Sequence, residues 1–123
     1  MHCDTLPAPL RMRCDTDEVK SVSVLEGDSV TLNTDVKVQK DDQILWVYRL
    51  DSSETRIAEI YKQIIDMFDS DVMYGDRLRM DRQSGSLTIR NIRTTDSGLY
   101  KLSIFSKNIS YRSFSVNVYG EYN

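Results

Sequence analysis

The sequence is poor in the side chains on which catalysis and metal binding usually depend. It has one histidine and two cysteines among 123 residues, and its five glycines are too scattered to form a phosphate-binding loop. His2 stands near the N-terminus, where it cannot form a Ser–His or Cys–His couple within a folded core. No apolar run approaches the ~20 residues of a membrane helix. We therefore expect no enzyme, no cofactor, no metal and no membrane insertion by this segment.

Cysteine is also absent from the main part of the chain. Cys3 and Cys14 precede residues 15–123, which therefore fold without a disulfide in any compartment. The two cysteines form either a local bridge or an incidental pair in a disordered leader. Residues 1–14 lack the apolar run of ~7–15 residues that the core of a secretory signal requires. We expect residues 1–14 to be a leader outside the fold and residues 120–123 to be a C-terminal stub.

The chain also lacks a concentration of positive charge. Its net charge of −3 comes from 16 basic and 19 acidic residues, and the basic ones are scattered, unlike those of a nucleic-acid binder. Asp66, Asp69, Asp71 and Asp76 lie close together, but they lack the D-x-D-x-D-G order of a calcium loop. We expect no nucleic-acid partner, and a solvated, irregular segment at these aspartates.

From Val19 onward, apolar and polar residues alternate between frequent turn signals. The alternation over residues 30–38 predicts a strand with one buried face. Residues 44–48 are nearly all apolar, so this strand is either covered on both faces or presents its outer face to a partner. Eight or nine short strands at spacings of roughly 8–12 residues indicate an all-β sandwich or barrel. Residues 63–76 are compatible with a strand, a loop or a helical turn.

Several motifs, in the right order, resemble an immunoglobulin variable-type domain over residues 19–119. Residues 27–32 (GDSVTL) resemble strand B, Trp46 stands at the core tryptophan of strand C, and residues 96–100 (DSGLY) resemble the corner before strand F. The resemblance implies an immunoglobulin-like V-type two-sheet Greek-key sandwich. It also implies scaffold roles, rather than functional ones, for Trp46, for the corner tyrosine Tyr100 and for a salt bridge between Arg77 and Asp96.

The disulfide that usually joins strands B and F in that family is missing. Its positions would be Thr34 and Leu102. A loop of that length would contribute roughly 4 kcal/mol if closed, so packing around Trp46 must replace the bond. We expect Thr34 and Leu102 to face each other across the sheets, with Cβ atoms about 3.5–4.5 Å apart or a little more. A buried Thr34 should find a hydrogen-bond partner.

Three further segments make the resemblance specific to one group of immunoglobulin variable-type domains. Residues 56–62 (RIAEIYK), 84–89 (SGSLTI) and 99–105 (LYKLSIF) together resemble the disulfide-free N-terminal domains of the signalling lymphocytic activation molecule (SLAM) group and its adhesion relatives. That resemblance implies an extracellular recognition domain, at the cell surface as part of a longer membrane protein, or secreted. Its partner would be an immunoglobulin-domain protein on the same or another cell, in like or unlike pairs, bound through one exposed sheet face.

The alternative is a structural immunoglobulin module of an intracellular multidomain protein. The missing core disulfide suits both hypotheses, and the missing secretory signal favours the intracellular one. The stretch between Trp46 and Tyr100 favours the first, because it has room for the extra C′ and C″ strands of variable-type domains. The sequon Asn108-Ile109-Ser110 agrees with an extracellular domain and predicts glycosylation at Asn108.

The two-residue period of a strand predicts which side chains form the binding face. Because Trp46 must point inward, its neighbours on strand C must point outward, and the same reasoning applies to strands F and C′. An alternative is that Ile64, Ile65, Met67 and Phe68 fold over part of this face and bury it. The predicted partner-binding residues of this G-F-C-C′ face are Leu45, Val47, Arg49, Glu59, Tyr61, Lys101, Ser103 and Phe105.

Overall fold

The computed structural model describes residues 19–68 and 70–120. The predicted leader with its two cysteines, Asp69 and residues 121–123 of the predicted stub lie outside this described part. Within it the chain forms strands, one short helix, α1 (Asp71–Tyr74), and a 3-10 turn at Thr94–Asp96. The strands are β1 (Val19–Leu25), β2 (Val30–Leu32), β3 (Gln43–Leu50), β4 (Ser53–Tyr61), β5 (Ile64–Asp66), β6 (Leu78–Met80), β7 (Leu87–Ile89), β8 (Gly98–Phe105) and β9 (Ile109–Tyr119).

Two sheets form the sandwich that the alternating pattern predicts. The larger sheet has the strand order β1-β9-β8-β3-β4-β5 and the smaller one has the order β2-β7-β6. Among the strands of the described residues, β1 and β9 pair in parallel and the other pairs are antiparallel. The chain changes sheet after β1, β2, β5 and β7, which brings β3 beside β8 although they are far apart in sequence. The all-β, two-sheet V-type fold is confirmed.

The core lies between the sheets and is built around Trp46. This side chain is fully buried, and its ring centroid lies 5.6 Å from that of Phe114 on β9. The indole Nε1 donates a hydrogen bond to the carbonyl oxygen of Gly85, at 2.7 Å, in the turn before β7. The larger sheet contributes alternate residues of β3, β8 and β9 to the core, together with Ile57, Ala58 and Ile60 of β4. The tryptophan therefore joins the two sheets both by packing and by a buried hydrogen bond.

The positions of the missing disulfide are filled by a polar and an apolar side chain. Thr34 and Leu102 are both buried. The hydroxyl of Thr34 donates a hydrogen bond to the carbonyl oxygen of Ser84 at 2.6 Å, and the backbone N–H of Thr34 donates to the hydroxyl of Ser86 at 3.1 Å. These bonds satisfy the hydroxyl and the backbone N–H of the buried threonine, so neither group carries the penalty of an unmet hydrogen bond.

The corner before β8 is held by a buried ion pair. Nη1 of Arg77 donates to Oδ2 of Asp96 at 2.8 Å, and Nη2 donates to Oδ1 at 3.2 Å, so the contact is bidentate. Asp96 also accepts a hydrogen bond from the backbone N–H of Arg93. The Tyr100 hydroxyl donates to the Asp96 carbonyl oxygen at 2.7 Å and lies 2.9 Å from the hydroxyl of Tyr74 on α1. The corner thereby ties β6, α1 and β8 together.

Two parts of the chain differ from the alternating pattern. The strand predicted over residues 30–38 is wrong beyond β2, because its partner β7 begins at Leu87, opposite Leu32. Asp35 then adopts a left-handed backbone with φ of 60°, which interrupts the extended chain. Burial still alternates after β2, since Val36 and Val38 pack partly against the core. Residues 63–76, which the pattern leaves open, form β5 and α1. No helix in the described ranges is long and apolar enough to span a membrane.

Candidate partner-binding face

The larger sheet turns one of its faces away from the core. Residues directly opposite each other on neighbouring strands share a face, so the register defines the members of this face, which we call the outer face. Leu45 lies opposite Glu59 and Ser103, and Gln43 lies opposite Tyr61 and Phe105. The register brings together on this face all eight residues that the sequence predicts: Leu45, Val47, Arg49, Glu59, Tyr61, Lys101, Ser103 and Phe105.

A β-bulge in β4 adds a residue to this face that the sequence pattern does not predict. Trp46 pairs with Ala58, but Val47 pairs with Arg56, so Ile57 is an extra residue in β4. Ile57 and Ala58 are both buried, and Arg56 is exposed beside Val47. Strict alternation from Ala58 would have turned Arg56 into the core. The signal of the bulge in the sequence is the pair of adjacent apolar residues, Ile57 and Ala58, after an arginine that has no place in an apolar core.

Charged residues lie in three neighbouring rows of the outer face, of which the row with Arg49 and Glu54 has both signs and the other two have one sign each. Glu59 of β4 lies opposite Asp66 of β5, and these two residues form the acidic row. Arg56 of β4 and Lys101 of β8 both lie opposite Val47 and form the basic row. One step along the strands therefore reverses the sign of the charge.

Two polar contacts hold side chains of these rows in place. Nζ of Lys101 donates to Oε2 of Glu54 at 2.9 Å, across β3, and this contact lowers the pKa of the Glu54 carboxyl. Nε2 of Gln43 donates a hydrogen bond to the Glu59 carboxylate. Both carboxylates are thus oriented by neighbours on the face itself, and each remains at the surface.

An apolar edge borders the acidic row. The register places Ile64 beside Tyr61 and Ile109 beside Phe105, so these four residues form one line across the sheet, together with Gln43. Tyr61, Ile64 and Ile109 are exposed to 49%, 69% and 56%. The sequence analysis missed Ile64 and Ile109, because it assigned outward positions only to strands C, C′ and F.

The segment after β4 does not cover the outer face. β5 pairs with the edge of β4 and so extends the sheet, which leaves Ile64 exposed. Ile65 and Met67 pack against the core instead. The alternative in which residues 64–68 bury the face is therefore wrong. The physical reason is that the free backbone edge of β4 offers hydrogen bonds to the segment.

Asn108 lies in the turn between β8 and β9, next to the apolar edge. It is exposed, and its carbonyl oxygen accepts a hydrogen bond from the backbone N–H of Ser106 at 3.1 Å. Its glycosylation stays a prediction. Across the described part of the chain, no group of three or more histidine, cysteine, aspartate or glutamate side chains is placed to hold a metal ion. The outer face is an open surface of mixed apolar and charged character, which suits contact with another protein.

Comparison with known proteins agrees with this architecture. The family model of the immunoglobulin V-set domain matches residues 17–119. The first immunoglobulin-like domain of human CD48 antigen has a TM-score of 0.71 at 25% identity, covering 85% of each chain. CD84, of the SLAM family, has a TM-score of 0.64 at 20% identity, covering 85% of this chain and 100% of its own. The CD2-binding domain of CD58 has a TM-score of 0.59 at 24% identity, covering 81% of this chain and 53% of its own. No curated protein matches the sequence.

Proposed function

The chain belongs to the immunoglobulin V-set family, and on that basis we propose that it is an extracellular recognition and adhesion domain of an immune-type cell-surface receptor. It binds a partner immunoglobulin domain on the same or another cell through the outer face, which is the G-F-C-C′ face of the family. The domain is of the SLAM type and is glycosylated at Asn108.

The observation that carries this proposal is the contrast between the two solvent-facing surfaces of the sandwich. On the smaller sheet, the central outward row consists of Thr31, Thr88 and Arg79, and the two threonine hydroxyls lie 2.8 Å apart. That row is entirely polar, as expected of a surface that faces water. The outer face of the larger sheet instead has Leu45 and Val47 at its centre. Apolar residues concentrated on one face of a monomer mark an interface.

The arrangement of side chains on the outer face supports a protein partner. Tyr61 and Phe105 lie on either side of Gln43. Tyrosine and phenylalanine are both enriched in protein–protein interfaces relative to the rest of the surface. Lys101 and Glu59 flank the central aliphatic pair. Apolar anchors with charged neighbours are the usual composition of a recognition surface.

The comparisons support the same class of function. The similar CD58 structure is that of its CD2-binding domain, and the similar CD84 structure is that of a SLAM family member. The first domain of human CD48, at 25% identity, has the same sandwich over 85% of this chain. These similarities favour an extracellular adhesion domain over a structural module of an intracellular protein.

The proposal is tested by measuring whether multivalent forms of the domain bind to cells. Tetramers of the wild-type domain on streptavidin should stain leukocytes of the species that encodes the chain. Val47→Asp places a charge at the centre of the outer face and should abolish staining, and Phe105→Ala should weaken it. The matched control is Val72→Asp on α1, because Val72 is 83% exposed and lies outside the larger sheet.

Two results would contradict the proposal. If wild-type tetramers bind no cell population, the structural-module alternative is favoured. If Val47→Asp and Val72→Asp tetramers stain equally well, while circular dichroism shows both variants folded, binding occurs elsewhere than on the outer face.

A further inference from the structure

We propose that a cleft at one end of the sandwich, which we call the basic cleft, binds an acidic sugar. The carboxylate of the sugar contacts Arg82, and its hydroxyls contact neighbouring glutamines. The basic cleft is separate from the outer face. Its choice of a sugar rests on the extracellular location in the proposed function, whereas its preference for an anion does not. The residues that line it include Lys37, Val38, Gln39, Gln63, Arg82 and Gln83.

Three connections between strands form the walls of the basic cleft. Residues 37–39 lie between β2 and β3, Gln63 lies in the turn between β4 and β5, and residues 82–83 lie between β6 and β7. The backbone N–H of Val38 donates to the carbonyl oxygen of Gln83 at 2.8 Å. Nη1 of Arg82 donates to the carbonyl oxygen of Gln63 at 2.9 Å. These two bonds link the three walls to one another around the cleft.

The charge of the basic cleft is opposite to that of the whole chain. The chain has 19 acidic and 16 basic residues, yet the charged lining residues in the described part of the chain are Lys37 and Arg82. Asp81 precedes Arg82, but its carboxylate accepts hydrogen bonds from the backbone N–H and the hydroxyl of Ser84. The ion pairs within the described ranges include neither Lys37 nor Arg82. A cleft lined by one sign of charge attracts the opposite sign, so its ligand is an anion.

Arg82 is positioned to bind a carboxylate. A guanidinium has several N–H donors in one plane, of which the Gln63 carbonyl oxygen takes one. The remaining donors suit the two oxygens of a carboxylate, which arginine binds in a bidentate manner. Because the side chain is already held by the turn before β5, it loses less freedom when a ligand binds.

The turn that presents Gln63 has a backbone that its residues disfavour. Tyr61 pairs with Ile64, so Lys62 and Gln63 form a two-residue turn, with φ of 50° and 68°. Asparagine and glycine are preferred in such left-handed positions. Unfavourable conformations of this kind cluster at ligand sites, where surrounding contacts maintain them. The bond from Arg82 to Gln63 is such a contact, and it lies at the cleft.

The uncharged lining residues favour a sugar over a small inorganic anion. Gln39, Gln63 and Gln83 each carry an amide that offers both donors and an acceptor, as adjacent hydroxyls require. Val38 offers an apolar surface to the C–H groups of a sugar ring. The cleft has a volume of about 510 Å³, which is within the range of small-molecule sites. An acidic sugar would use the charges, the amides and the apolar surface together.

The test is a titration of the isotopically labelled domain with methyl glycosides, followed by amide chemical shifts. One probe contains N-acetylneuraminic acid, from the ends of cell-surface glycans, and the other contains glucuronic acid, from glycosaminoglycans. The tighter probe identifies the source of the sugar. It should shift the signals of Val38, Gln63 and Gln83 and leave that of Val47 in place. Because the cleft is partly open to solvent, we expect a dissociation constant on the order of 1 mM.

Matched variants and simpler probes test each part of the site. Arg82→Gln should weaken binding of the acidic sugar at least about tenfold, because the bidentate contact is lost. Arg79→Gln is the control and should bind like the wild type, since Arg79 is an exposed arginine of β6 outside the cleft. Methyl galactoside, which has no carboxylate, and acetate, which has no hydroxyls, should each bind at least about tenfold more weakly than the acidic sugar.

The results separate this inference from the proposed function. No shift with either acidic sugar, or equal weakening by Arg82→Gln and Arg79→Gln, overturns the inference. Acetate or galactoside binding as tightly as the acidic sugar also overturns it. If tetramers stain cells in a Val47-dependent way but no sugar binds, only this inference is wrong. If the acidic sugar binds but tetramers stain no cells, the basic cleft stands and the proposed function is wrong.

Discussion

Replacing Asp96 with alanine should remove a large part of the stability of the domain without changing its binding surface. Asp96 and Arg77 are only 3% and 7% exposed as side chains, and two hydrogen bonds join them. In Asp96→Ala the Arg77 guanidinium stays buried without its counter-charge. The backbone N–H of Arg93 also loses its acceptor.

The expected loss in the free energy of unfolding follows from this burial. Removing one partner of a buried ion pair costs about 3–5 kcal/mol, chiefly because the remaining charge is left uncompensated. Small domains are stable by about 5–15 kcal/mol, so the variant should still fold at low temperature. Removing both charges, as in Arg77→Met with Asp96→Ala, should cost about 2 kcal/mol less than the sum of the single changes.

The assay is urea denaturation of the wild type, both single variants and the double variant, followed by tryptophan fluorescence. Free energies extrapolated to zero denaturant close the double-mutant cycle. Strictly additive losses, or a loss below about 1 kcal/mol for Asp96→Ala, would refute the view of this contact as a buried, coupled pair. Weakened tetramer staining by folded Asp96→Ala would contradict its purely structural role.

Three further predictions concern the scaffold. Gly98→Ala should lower the free energy of unfolding by about 1–3 kcal/mol in denaturation experiments, because its Cβ would lie 2.6 Å from a ring atom of Tyr48. Gly27→Ala should cost less, because its Cβ would meet no atom within 4 Å. Burial raises the pKa of the Tyr100 phenol, so the free energy of unfolding should fall above pH ~10, where only the unfolded state releases this proton; the deficit of Tyr100→Phe relative to wild type should shrink over the same range. Thr34→Cys combined with Leu102→Cys should form a disulfide on oxidation and raise the urea midpoint, whereas free thiols by mass spectrometry would show that the two Cβ atoms are too far apart.

Alternation along single strands was enough to predict the core and most of the outer face. The side chains of a strand point to opposite faces in turn, and this depends only on local backbone geometry. Once Trp46 is placed inward, the directions of Leu45 and Val47 follow. The same holds for Tyr100 and Leu102 on β8, where the register was unbroken.

The features that the sequence did not predict depend on interactions between segments that are distant along the chain. The bulge at Ile57 arises from the pairing of β4 with β3, and it brings Arg56 to the outer face against strict alternation. Likewise, the end of β2 at Leu32 depends on the length of its partner β7, because burial continues to alternate beyond the last paired residue. Strict alternation along one strand predicts neither a bulge nor the residue at which pairing with a partner strand ends.

The most direct test of the outer face as the binding surface is leukocyte staining by tetramers that carry one substitution each, either on the outer face or on the smaller sheet. Val47→Asp, Arg56→Glu and Glu59→Arg, on the outer face, should each weaken staining. Thr31→Asp and Arg79→Glu, on the outward row of the smaller sheet, should stain like the wild type. Loss of staining confined to the smaller-sheet variants, or equal staining by all folded variants, would contradict binding through the outer face.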